Sequence, residues 1–315
     1  MKKILFSGLV VLFCISVQAQ NSVNLKMNLE KNKVYRLRSV AEQTIAQTIN
    51  GVQQTTESNT SYSVSIKMLD ATPDFMITEV RFDTMATVTN TMGKVVSMSS
   101  ANEGNIKSAE MADVVSCIMN RLSKNAIYAK LDFMGKPVEI VNARMLSEII
   151  LKDTADISLA GPTAGAVKKQ ILAMISEDEL KTMIEMFTYY LPGREVTAGD
   201  TWNVSQQMKS GGMMLDISTS FRLTGLEGDN AVITSESAIK AADNAKPLES
   251  GGATVTYGDL RGLSRTSMKI DARTGLILEQ NGKTHLSGNL GISAPGFSMQ
   301  MPMDINGKTK VIGIQ

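Results

Sequence analysis

The chain has 315 residues, 43% hydrophobic and 20% charged, with 32 Lys and Arg against 31 Asp and Glu and a formal charge of +1. That balance supplies no basic footprint for nucleic acid or for an anionic membrane. Aromatics are few at 5% while methionine reaches 21 residues, and the length suffices for one large domain or two halves with a sizeable core.

The first twenty residues, MKKILFSGLVVLFCISVQAQ, place Lys2 and Lys3 before an apolar run from Ile4 to Ile15 and small residues around Ala19. This is the pattern of a secretory signal peptide over residues 1–19. The run is too short for a bilayer-spanning helix, and no later stretch reaches that length, so no transmembrane span is expected. Phe13 before Cys14 argues against a lipoprotein signal, where a small residue normally precedes the cysteine. Cleavage after Ala19 takes two lysines with it, leaving a charge near −1 and Cys117 as the one cysteine. An internal disulfide is then impossible, and Cys117, among apolar neighbours in MADVVSCIMNRL, reads as a small buried hydrophobe.

From Val23 to Ser99 the pattern is strand-like. Tyr62, Val64, Ile66 and Met68 alternate with Ser63, Ser65 and Lys67, the period of a half-buried antiparallel strand. Asn50-Gly51 is a hairpin signal, Pro73-Asp74 marks the next turn, and the threonine- and serine-rich strands suit a sheet with one wet face. The period changes near Ser108: Met111, Val115, Ile118 and Leu122 recur at helical steps. AIYAKLDFMGKPVEIVN returns to strand with a turn at Met134-Gly135-Lys136. NARMLSEIILK and TAGAVKKQILAMI, the latter beyond Gly161-Pro162, read as helices. SEDELKTMIEMFTYYLPG is a third, with Ser176 and Glu179 forming a capping box, a stripe of Leu180, Ile184 and Phe187 or Tyr190, and Pro192-Gly193 as its stop. From Gly199 onward the chain reads as β again, with loops at Gly211-Gly212 and Gly251-Gly252.

These elements divide the chain into an N-terminal β-rich half over 20–107, a mainly helical segment with one hairpin over 108–195, and a C-terminal β-rich half over 196–315. The expected fold class is α+β: a large curved antiparallel sheet packed on a central helical segment. Three blocks recur in order in the two β-rich parts: EKNKVYRLRS with TAGDTWNVSQ, SVSIKMLDATPDFMITEV with STSFRLTGLEGDNAVITS, and AKLDFMGKPVEIVN with MKIDARTGLILEQN. A duplicated β unit and the common appearance of antiparallel hairpins both account for them.

The catalytic inventory is largely negative. His285 is the single histidine, so HExxH zinc sites have no basis, and no G-x-S-x-G elbow accompanies any serine for a triad. In its strand-like surroundings His285 reads as an exposed or cross-strand residue. Ser237-Ala-Ile-Lys240 has S-x-x-K spacing but lacks a helix start and partner motifs. No nucleotide-binding glycine motif occurs, DINGK has too few acids for a calcium loop, and no cofactor or metal is expected. Asp200 beside Trp202 in GDTW could belong to a glycan site, and equally to a turn that starts a strand.

The segment SMQMPMDING places Met299, Met301 and Met303 at alternate positions. Thioethers bind Cu(I), yet on a strand i, i+2 side chains are about 7 Å apart and no histidine or cysteine is near. One buried strand face is the expected reading, with Pro302 implying an edge strand or a bulge. Methionine lines adaptable apolar surfaces, so Met299, Met301 and Met303, with Met183, Met186, Met213 and Met214, are the candidate lining of an apolar cavity.

A resemblance is carried by the leader ending VQAQ, the L-x-x-x-x-V-Y spacing from Leu29 to Tyr35, YLPGREVTAGDTW, and KIDARTGLILE. Together they resemble an uncharacterised family of exported proteins from Bacteroidetes-type bacteria, a resemblance that implies no activity and carries over no catalytic residue. More distantly, the β–α–β layout looks like periplasmic lipoprotein carriers of the LolA/LppX type, whose curved sheet and helices enclose an apolar cavity. The expected function is non-catalytic binding of a lipid, acyl chain or hydrophobic peptide in the periplasm or at the outer membrane. A structural or protein-interaction module of the envelope is the alternative, and a glycan or cell-wall hydrolase the third reading. Partners are then an apolar small molecule or another envelope protein, with no nucleic acid.

Overall fold

The computed structural model describes residues 22–49, 51–159, 164–210, 212–250 and 252–314. The leader with Cys14, Asn50, Gly161-Pro162, Gly211 and Gly251 lie outside the described residues. The first β-rich part contains β1 (Val23–Leu25), β2 (Val34–Ile49), β3 (Val52–Ala71), β4 (Met76–Thr91) and β5 (Lys94–Ser99). The middle contains α1 (Met111–Ser123), β6 (Ile127–Leu131), β7 (Pro137–Ile140), α2 (Ala143–Ile150), α3 (Ala164–Ala173) and α4 (Glu177–Thr188). Then follow β8 (Arg194–Val196), β9 (Thr201–Ser210), β10 (Met213–Glu227), β11 (Asn230–Ala241), β12 (Leu248–Ser250), β13 (Ala253–Thr256), β14 (Arg261–Asp271), β15 (Ile277–Ala294) and β16 (Phe297–Ile314).

Among the described residues, fourteen strands form one antiparallel sheet ordered β7-β6-β4-β3-β2-β16-β15-β14-β11-β10-β9, with β5 on β4 and the β12–β13 hairpin on β15. The sheet is curved and open, and with the helices it gives an α+β fold. Its first and last long strands, β2 and β16, pair with each other and join the two β-rich parts. Two-residue connections set the register: Ile49 pairs Val52, Thr91 pairs Lys94, and Ala294 pairs Phe297. Gly51, Gly93 and Gly296, at φ of 78°, 83° and 76°, take the left-handed conformation that such turns require. The repeated blocks fall on equivalent hairpins, β3–β4 with β10–β11 and β6–β7 with β14–β15.

The helices cover one end of the inner face. Phe187 of α4 meets Tyr62 and Phe82 edge-on, with centroids 6.4 and 6.2 Å away. Ser176 caps α4, its hydroxyl accepting from the Glu179 amide at 3.3 Å, and Leu180, Ile184, Phe187 and Tyr190 are buried. The stripe expected on α1 is broader. Met111 is 43% exposed, whereas Val114, Val115, Cys117, Ile118, Met119 and Leu122 are buried, because the helix lies between the sheet and α2. Asn120 on that helix donates to the Ser100 carbonyl at 2.8 Å.

Two expectations change with the register. Pro302 belongs to β16, an interior strand, but pairing with β2 begins only at Met303, so Pro302 faces the side where that partner has ended. The missing N–H therefore costs no ladder bond there. The hydroxyl-rich strands do not simply turn their threonines outward. Glu42, Lys308, Lys283, Arg265 and Glu236 form a row on the exposed face, and the Ser and Thr beside them in sequence share the inner face with the core.

Two of the motifs carrying the family resemblance, YLPGREVTAGDTW and KIDARTGLILE, meet in one buried knot. The Tyr190 hydroxyl donates to the Gly275 carbonyl at 2.6 Å, and Trp202 Nε1 donates to the Tyr190 carbonyl at 2.9 Å. The Asn28 amide donates to the Thr274 carbonyl, and the Gly193 amide to that of Leu25. Gly275 has φ 76°, and a Cβ there would lie 2.7 Å from the Lys26 carbonyl oxygen. Gly275→Ala is therefore expected to lower the unfolding free energy by about 2 kcal/mol or more in a denaturant titration, combining left-handed strain with overpacking.

Candidate functional site

Along the inner face the strands carry rows of distinct character, readable because each register partner lies on the same face. Nearest the helices the row is mostly apolar: Met85, Val311, Met268, Ile233 and Leu223 belong to the main core, with Ser39 and Gln280 on either side of Val311. The next row runs Thr87, Thr60, Ala41, Thr309, Gly282, Thr266, Ser235, each paired with the one before it. The row beyond runs Thr89, Ser58, Gln43, Gly307, Thr284, Ser264, Ser237, Thr219 by the same pairing. These residues are mostly half-buried. Several hydroxyls pair across strands: Thr219 with Ser237 at 2.8 Å, Thr284 with Ser264 at 2.9 Å, and Thr60 with Thr87 at 3.2 Å.

Past this belt the face is apolar again, with Ile45, Ile305, Leu286, Ile239 and Ile217 in one row. They belong to a second hydrophobic cluster, separate from the main core, whose buried members include Leu215, Tyr257, Leu260, Leu290, Met301 and Met303. Its rim is half-buried, with Ile49, Met213, Leu248, Val255, Ile292 and Met299 packed around it. Among the described residues, none from an α-helix belongs to this cluster. The excursion between β11 and β14 extends the sheet beside it, with β13 paired to β15 and the Met214 amide donating to the Tyr257 hydroxyl at 3.1 Å, and it adds Leu248, Val255, Tyr257 and Leu260 to the cluster. A depression of about 350 Å³ opens beside it, bounded by Ala241, Asp243, Pro247, Thr256 and Tyr257, and so of mixed polar and apolar character.

The structure brings four of the seven candidate methionines together: Met301 and Met303 are buried in this cluster, and Met213 and Met299 lie on its rim. Met214 points to the opposite side of β10 from Met213. Met183 packs against the main core, and Met186 on the same helix is 45% exposed. The Gln47 amide reaches the Met303 sulfur at 3.7 Å. Met299, Met301 and Met303 follow ordinary alternation on β16, and among the described residues no three His, Cys, Asp or Glu gather to hold a metal ion.

The other candidates are dispersed. Asp200 closes a turn by accepting from the Thr197 amide at 2.9 Å, while Trp202 is buried and stacked on Phe221 at 5.7 Å. Ser237 and Lys240 lie on opposite faces of β11, and Lys240 is paired with Asp243 at 2.7 Å. His285 lies on the exposed face of β15, 3.1 Å from Asn306. Cys117 is buried. None of the described helices is long and apolar enough to cross a membrane, which does not bear on strands.

A polar cleft of about 530 Å³, not foreseen from the sequence, lies between α4 and β9–β11, lined by Lys136, Lys181, Glu185, Tyr189, Gln206 and Asp216 among others. Burial raises the Glu185 carboxyl above the usual carboxylate range, against the pull of Lys136 and Lys181. Lys136 sits over the Tyr189 ring at 5.5 Å.

With this geometry in hand, the chain can be compared with known proteins. Residues 73–277 match the model of the family described as "Family of unknown function (DUF6263)". The chain belongs to that family. No curated protein matches it. Among solved structures, lipovitellin, from a study of its lipid–protein interactions, is similar over 91% of this chain and 26% of its own, at 11% identity and TM-score 0.44. This DUF6263 chain thus spans about a quarter of that protein's length. The COG4313 outer membrane channel from Pseudomonas putida F1 is similar over 91% of this chain and 97% of its own, at 7% identity and TM-score 0.24. A domain described as an outer membrane lipoprotein-sorting protein from Vibrio parahaemolyticus aligns over 88% and 83%, at 9% identity and TM-score 0.13. Likenesses this distant carry no argument about what the DUF6263 chain binds.

Two outcomes follow from this geometry. Cu(I) is expected to leave the melting temperature unchanged, and Met303→Ala to lower stability by about 2–4 kcal/mol through cavity formation. A raised folded-state pKa at Glu185 favours the fold at low pH, a contribution lost as pH rises through the raised value. Replacement by neutral Gln removes that loss, so the stability of Glu185→Gln relative to wild type is expected to increase between about pH 4 and about pH 8 in paired denaturation curves.

Proposed function

We propose that this DUF6263 chain is an exported, non-catalytic binding protein for an apolar ligand (a lipid, acyl chain or hydrophobic peptide) in the cell envelope. The observation that carries the reading is the second cluster: an apolar surface on the inner face, apart from the main core, to which the described helices contribute no residue. Ligand sites are concave and mostly apolar, with volumes from about 300 Å³ upward, and the adjoining depression of about 350 Å³ has that scale. The flexible methionines there can repack around ligands of differing shape. Export rests on the signal-peptide pattern of residues 1–19.

A second reading, an interaction module of the envelope, has one observation in its favour. Val52, Met92, Val95 and Phe297 are exposed, between 52% and 73%, at or beside hairpin tips on the end of the sheet that holds the second cluster. Exposed apolar tips suit contact with another protein or with a lipid surface.

The test is titration of a fluorescent acyl probe into the protein. Wild type is expected to bind saturably, and Met299→Asp on the cluster rim to weaken binding about tenfold or more, since a carboxylate would be desolvated there. Absence of saturable binding in the wild type would overturn the reading.

A further inference from the structure

The inner face beside the second cluster is uncharged over a wide area. Across the eight strands from β4 to β10, neither row of the hydroxyl belt nor the apolar row next to it contains a Lys, Arg, Asp or Glu. The nearest cations in sequence, Lys308, Lys283 and Arg265, lie on the other face, and Arg265 is already paired with Glu236 at 2.9 Å. Lys136 and Lys181 approach this surface only at its β10 end, where Ile217 lines the polar cleft; over the strands from β2 to β14 a phosphate would meet no guanidinium or ammonium from these rows, the partners that phosphates require when they leave water. Hydroxyls, by contrast, both donate and accept, so a Ser and Thr surface matches a ligand that also carries hydroxyls.

The belt is shallow as well as neutral. Gly282 and Gly307 sit within it, and a Cβ on Gly307 would find nothing nearer than 3.6 Å. Bulky Ile, Leu and Met side chains stand on one side, and the main core on the other. Thr284 donates to Ser264 at 2.9 Å and Ser264 in turn to the Lys283 carbonyl at 3.3 Å, which leaves acceptor lone pairs on these half-buried hydroxyls for a guest that donates.

We infer that the ligand is a lipid with an uncharged, hydroxyl-bearing head, as in a glycosyl diacylglycerol: its acyl chains enter the methionine-rich cluster and its head lies on the hydroxyl belt. This rests on the apolar-ligand reading and adds the choice of head group.

The experiment displaces a bound fluorescent acyl probe from the full protein with two short-chain lipids of identical acyl composition, glucosyl diacylglycerol and phosphatidylglycerol. The glucosyl lipid is expected to displace the probe at about tenfold lower concentration. In Ser264→Lys the added ammonium is expected to narrow or reverse that ratio, with Thr266→Lys substituted if circular dichroism shows the first variant unfolded. Equal or stronger displacement by phosphatidylglycerol from wild type overturns the head-group inference and leaves the apolar-ligand reading standing. A ratio unchanged in a folded lysine variant removes the belt as the head site. Failure of the probe to bind at all overturns both.

Discussion

The whole molecule depends on register. From β4 through β10 eight strands are paired edge to edge, and side chains at matched positions form rows across the sheet. Because the side-chain period is two, a slip of one residue in any hairpin would exchange the Lys308–Lys283–Arg265 row with the hydroxyl row beside it. Charges would then enter the inner face and hydroxyls would leave it. The two-residue turns at Gly51 and Gly296, with their left-handed glycines, hold that alignment between β2 and β3 and between β15 and β16. Fold and surface chemistry are thus set by the same few connections.

The rows explain why one face can serve two purposes. At the helical end, aromatic and aliphatic side chains meet α1, α2 and α4 and make a conventional core. A belt of small hydroxyl side chains interrupts the apolar surface, and the second cluster lies beyond it. Burial of apolar area alone would favour one continuous core. Separation by a polar belt leaves an apolar compartment that the helices do not fill.

Much of this was legible in the sequence, because strand alternation and the capped helix at Ser176 are local signals. The α+β class and the order of β-rich and helical segments follow from such signals, as does the strand-face reading of Met299, Met301 and Met303. The belt was not legible. Ser264 and Thr266 look like a solvated face when β14 is read alone, and only its pairing with β15 and β16 shows them sharing a side with Leu286 and Ile305. Pro302 pointed to an edge, and what it marks is the point where one neighbour ends. The polar cleft at Glu185 and Lys136 escaped for the same reason, since its residues come from a helix, a turn and three strands. Two of the motifs that carry the family resemblance are architectural: Tyr190, Trp202 and Gly275 tie the end of α4 to β9 and the β14–β15 turn.

On the proposed reading the second cluster, and not the main core or the polar cleft, receives an apolar ligand. Photo-crosslinking with a diazirine-bearing fatty acid, followed by peptide mapping, tests it most directly. The account predicts adducts concentrated on residues 213–217, 248–257 and 286–305, suppressed by excess unlabelled fatty acid. Adducts confined to α4 and β9, or labelling that excess ligand does not suppress, would contradict it.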